Sequence, residues 1–68
     1  MNVISQSMII AEQLSDKYGN SHRYLESYLR ARDDHGIMDS IKIALEEQNL
    51  WDTFASNCDP EVCQRYFS

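Results

Sequence analysis

The chain has 68 residues and a net charge of −5, with 43% apolar residues, seven aromatics, two Gly, one Pro and two Cys. That length allows one domain over residues 1–68, burying only about 60% of the surface its unfolded form would expose, so its stability alone is expected to be marginal. The apolar content argues against a disordered chain, and the scarcity of Gly and Pro argues against a turn-rich β fold.

The first element spans about Asn2 to Tyr18. Val3, Ile4, Ser7, Ile10, Ala11, Leu14 and Tyr18 recur at three- and four-residue steps, which marks one face of a helix. Gly19 stands where a left-handed cap residue is wanted. Ile9 points away from the stripe, among Ser5, Glu12 and Asp16. The second element opens at Asn20 or Ser21, both good caps, and runs to about Asp33 with Tyr24, Leu25, Tyr28, Leu29 and Ala31 as its apolar face. Arg32 falls on that face near the end, where a long stem can snorkel. The stretch DDHG, residues 33–36, reads as a connector pivoting on Gly36.

The third element begins near Ile37, with Ile37, Met38, Ile41, Ala44 and Leu45 in one stripe. Ile43 projects to the other side, flanked by Asp39, Glu46 and Glu47. Leu50 and Phe54 would extend that second side if the helix were unbroken, so a bend near Asn49 is expected, with Asn49 capping a new turn at Leu50, Trp51 and Asp52.

The last element starts in CDPEVC, residues 58–63. Asp59 is a good cap, Pro60 suits the first helical position, and Glu61 places negative charge at the positive helix end. Cys58 and Cys63 then occupy the two positions of a hydrophobic staple, a role that a reduced cysteine can fill. The spacing is a poor match to zinc-binding pairs and to the thioredoxin-type motif, though the staple would bring the sulfurs near enough for an oxidative switch. No metal site or cofactor is expected.

Catalytic residues are not expected either. Asp33–Asp34 and Glu46–Glu47 are adjacent pairs, which diverge by about 100° on a helix. A calcium loop starting at Asp33 would need glycine sixth and glutamate twelfth, and finds Met38 and Ala44. His22 and His35 are isolated, and no glycine-rich phosphate loop is present. The sequence shows no signal peptide and no apolar run of membrane-spanning length, so a cytoplasmic location without membrane contact is expected.

Charge is unevenly spread. Residues 1–32 carry three acids against four bases, while residues 33–61 carry eight acids against Lys42 alone. The second half repels nucleic acid and attracts basic surfaces. A helix-turn-helix reading would make IMDSIKIALEEQ the recognition helix, and its three acids would oppose the phosphates; Arg23, Arg30 and Arg32 do not reverse that balance.

The expectation is an all-α protein, a compact bundle of three to five short helices completed by homodimerisation. Its function is expected to be that of an acidic protein-interaction module of phage or bacterial accessory type, a regulator or inhibitor that docks on a basic or nucleic-acid-binding protein. Asp39, Ile43, Glu46, Glu47, Leu50, Trp51 and Phe54 would form the docking surface, and Ile9, Tyr24 and Tyr28 the self-association surface. The alternatives are a structural self-assembling module and, behind it, the helix-turn-helix DNA reader.

Overall fold

The computed structural model describes residues 2–67, and it is all-α: α1 (Val3–Lys17), α2 (Ser21–Glu47), α3 (Trp51–Asn57) and α4 (Pro60–Phe67). Asn2 opens α1 from an extended conformation, its Oδ1 accepting the Ser5 N–H at 2.8 Å. That bond satisfies one of the orphan donors of the first turn. The helix closes at Gly19, at φ 72°, with Gly19 N–H donating to Asp16 O at 3.0 Å and Asn20 N–H to Ser15 O at 2.7 Å. This pair of backward bonds is a Schellman motif, and the left-handed residue it requires is the glycine.

α2 is bent. As a straight rod its 27 residues would reach about 40 Å at 1.5 Å per residue, whereas the longest dimension of the molecule is 28 Å. The break falls at Gly36, whose φ of 78° and ψ of 174° are inaccessible to residues with a side chain except under strain. Asp33, Asp34 and His35 are helical up to that point, so the expected four-residue connector is a single-residue pivot. Beyond it, the buried Ser40 hydroxyl donates back to the Gly36 carbonyl and holds the first turn of the second arm.

The end of α2 repeats the device seen after α1. Asn49 takes φ 58°, with Asn49 N–H donating to Glu46 O at 3.1 Å and Leu50 N–H to Leu45 O at 2.8 Å. The expected bend is there, but the role given to Asn49 is corrected. It closes α2 in the left-handed position that asparagine tolerates, and Leu50 stands at the start of α3 without a side-chain cap bond.

The core gathers Ala11, Tyr24, Tyr28, Ile41, Ala44, Leu45, Leu50, Phe54 and Phe67. Many of the buried residues of the first two helices are small: Ser7, Ala11 and Ser15 on α1 and Ser27, Ser40 and Ala44 on α2. Burying these small side chains leaves several larger apolar ones on the surface. Leu25 and Leu29 are accordingly 47% and 44% exposed, and Ile4, Tyr18 and Ile37 are also on the surface. The apolar faces expected for the first two elements are therefore rotated, with Tyr24, Ser27, Tyr28 and Ala31 turned inward along α2.

At the opposite end, Phe54, Trp51 and Phe67 form an aromatic triangle with ring centroids 5.3 to 5.6 Å apart. Phe67 meets both partners edge-on, an arrangement that adds about 0.5–1.5 kcal/mol per pair beyond burial. Lys42 ties this end together. Its ammonium lies 5.2 Å from the centre of the Trp51 ring and donates to the Phe67 carbonyl at 3.1 Å. Through that side chain α2 holds the last turn of α4, where unpaired carbonyls favour a cation.

Candidate functional site

The eight carboxylates of residues 33–61 all lie on the surface: Asp33, Asp34, Asp39, Glu46, Glu47, Asp52, Asp59 and Glu61. Among the described residues none of them has a cationic partner. The one close contact between a basic side chain and a carboxylate among the described residues joins His22 Nε2 to Glu26 at 2.8 Å, outside that stretch. Lys42, the only base in the same stretch, is already committed to Phe67 and Trp51. No cation among the described residues compensates this acidic surface.

One hollow in this surface lies at the turn between α2 and α3. Glu46, Asn49, Trp51 and Asp52 line an open hollow of about 280 Å³. The left-handed Asn49 turns the chain there, so Glu46 from the last turn of α2 and Asp52 from the first turn of α3 line one hollow with the half-buried Trp51. Two carboxylates beside an aromatic ring suit a guanidinium or ammonium group, which gains from the charge and from the ring.

The structure divides the residues expected at the docking surface. Asp39, Glu46 and Glu47 are exposed, and Ile43 and Trp51 are half-buried. Leu50 and Phe54 are core residues at 5% and 1% exposure, so their role as surface anchors is corrected. The reason is the Asn49 turn, which swings α3 back against α1 and α2 instead of prolonging the Ile43 side. Tyr24 and Tyr28 are corrected likewise. They stack at 6.1 Å inside the chain and offer no surface for self-association, whereas Ile9 is 40% exposed. Burial, with the Glu12 carboxylate second, pushes the Tyr24 hydroxyl well above its ordinary value.

Sequence reasoning missed Asn49 and Asp52 as parts of one hollow, Lys42 as a latch, and Leu25 with Leu29 as an exposed apolar pair. The adjacency of Asn49 to two acids one helical turn away on either side was the available signal for the hollow. Nothing in the sequence pattern foretells the Lys42 contact with Phe67, 25 residues away.

At the α3–α4 junction, Asp59 Oδ1 accepts the Glu61 N–H at 2.9 Å and the Asp59 carbonyl accepts the Cys63 N–H at 2.9 Å. Asp59 thus caps the helix that Pro60 begins. Cys58 and Cys63 are free, half-buried and packed against the core. Burial, then a hydrogen bond to Cys63, pushes the Cys58 thiol up to about 12. Among the described residues no group of three or more His, Cys, Asp or Glu side chains is placed to hold a metal ion. No described helix is long and apolar enough to cross a membrane. Set against known proteins, the chain matches no family model, no curated protein and no solved structure.

Proposed function

We propose that the chain is a non-enzymatic protein-interaction module, a small regulator or inhibitor that docks on a basic or nucleic-acid-binding protein in the cytoplasm. The observation that carries this reading is the acidic surface: eight exposed carboxylates without a cationic partner among the described residues. Single exposed ion pairs are worth about 0.2–1 kcal/mol, so affinity has to come from several engaged together around an anchoring point. The hollow of Glu46, Asn49, Trp51 and Asp52 supplies that point, with Ile43 and Glu47 on the neighbouring α2 surface. The field of the whole acidic half steers the encounter and raises the association rate, an effect that salt suppresses.

The test is a tagged chain exposed to nuclease-treated bacterial lysate at low and at high salt. One stoichiometric basic protein, retained at low salt and released at high salt, is the expected result. An eluate empty under both conditions refutes the docking function.

A second reading has its own observation. Leu25 and Leu29, one turn apart on α2, are nearly half exposed, and Ile9 on α1 is similarly placed. They favour a homodimer and, at the extreme, a purely self-assembling module. A stable interface buries about 800 Å² per partner, far more than three partly exposed side chains offer, so this surface gives at most weak association unless polar neighbours join it. Sedimentation of the wild type and of Leu29→Glu decides it: a dimer that the substitution dissociates supports self-assembly, and a monomer in both cases removes it.

A further inference from the structure

The cysteine pair lies outside the proposed docking hollow, and packing alone does not explain why both positions carry sulfur. Cys58 ends α3 in an extended conformation, at φ −93° and ψ 146°. The chain then turns through Asp59, whose carbonyl accepts the Cys63 N–H, and the first turn of α4 carries Cys63 back toward Cys58 in the staple arrangement. Both also lie against the hydrophobic core. A staple asks only for apolar contact at these positions, and valine or leucine would supply more apolar area. Two cysteines at the paired positions of a staple across a capped turn are set toward the approach that a disulfide demands, whose Cβ atoms stand about 3.8 Å apart.

We infer that Cys58 and Cys63 are a modification site that closes to an intrachain disulfide by exchange with a small-molecule disulfide such as oxidised glutathione. In the first step a thiolate of the pair attacks the S–S bond of the oxidant, forming a mixed disulfide and expelling one glutathione thiolate. In the second step the other cysteine, losing its proton, attacks the protein-side sulfur and expels the second. Overall the two cysteines give up two protons and two electrons and gain one S–S bond; the oxidant loses its S–S bond and leaves as two thiols. The closed form ties the end of α3 to the first turn of α4, and so restrains the helix whose Phe67 completes the aromatic triangle. Because Cys58 seldom presents a thiolate at neutral pH, exchange is slow there and quickens as pH rises.

Folding and disulfide formation are linked: a native geometry that favours the bond raises its equilibrium constant over that of the unfolded chain. The full chain is therefore equilibrated with mixtures of oxidised and reduced glutathione, with and without denaturing urea, quenched by acid and weighed by intact-mass spectrometry. The expected product is a monomer lighter by two hydrogen atoms, with circular dichroism unchanged and an equilibrium constant at least about tenfold larger folded than in urea. Cys58→Ser and Cys63→Ser are each expected to stop at a single glutathione adduct. An equal or smaller constant in the folded chain, a doubly glutathionylated product, or a cross-linked dimer would overturn the inference.

Discussion

Replacing Gly36 by alanine perturbs the position on which the shape of α2 depends. A Cβ built there meets no atom within 4 Å, and the same is true at Gly19, so steric collision contributes at neither site. What differs is the backbone. Gly36 sits at φ 78° and ψ 174°, a region open essentially to glycine, where another residue pays about 1–3 kcal/mol. The loss of chain entropy in the unfolded state returns about 0.4–1 kcal/mol. The net cost is about 1–2 kcal/mol, and for a domain of this size each kcal/mol lowers the melting temperature by about 4–8 °C. Gly19 lies in the left-handed position of a Schellman motif, where alanine costs about 1–2 kcal/mol before the same offset. Gly36→Ala should therefore melt roughly 5–15 °C below the wild type by circular dichroism, and no higher than Gly19→Ala. The only structural escape is to straighten α2, which size-exclusion chromatography would register as a larger particle. A compact Gly36→Ala monomer melting at the wild-type temperature would refute the claim that this residue sets the bend.

Lys42→Met should free the end of α4 by removing both the bond to the Phe67 carbonyl and the contact with Trp51. The expected cost is about 1–2 kcal/mol, with faster amide hydrogen exchange in α4 and little change in α1. Ile43→Asp should leave sedimentation unchanged and abolish capture of the basic partner; loss of a dimer instead would favour self-assembly. Stability should also fall in alkali. Burial raises the folded-state values of Cys58 and Tyr24 above their unfolded ones, so their contribution is complete below the unfolded values of about 9 and 10 and is lost as pH climbs through the folded ones. Urea melts at pH 8 and pH 11 should show that loss, and Tyr24→Phe with Cys58→Ser should reduce it.

Chain punctuation was the most legible part of the fold. Gly19, Gly36 and the CDPEVC start act locally, through backbone conformations and caps that need no tertiary contact, and the helices end and bend where they stand. Asn49 was legible as a break but not in its role, because asparagine serves both as an opening cap and as a left-handed closing residue. The buried faces were less legible. Periodicity gives weight to large apolar residues, whereas Ser7, Ala11, Ser15, Ser27 and Ser40 are buried and Leu25 and Leu29 stay outside. For the candidate site, the acids were read correctly as surface residues because charge resists burial unless paired. Leu50 and Phe54 were misplaced because the direction of α3 follows from a turn of the chain that the pattern of side chains does not encode.

The central claim is that the acidic surface of α2 and α3 engages a basic protein. It is tested most directly by comparing the wild type with a Glu46→Gln, Glu47→Gln, Asp52→Asn variant as baits for the same lysate at low salt. All three side chains are exposed and without ionic partners among the described residues, so the variant should melt like the wild type. The prediction is that one basic protein present in the wild-type eluate is depleted about 3- to 150-fold with the variant, since three lost ion pairs remove about 0.6–3 kcal/mol. Equal recovery of that protein on both baits would contradict the account.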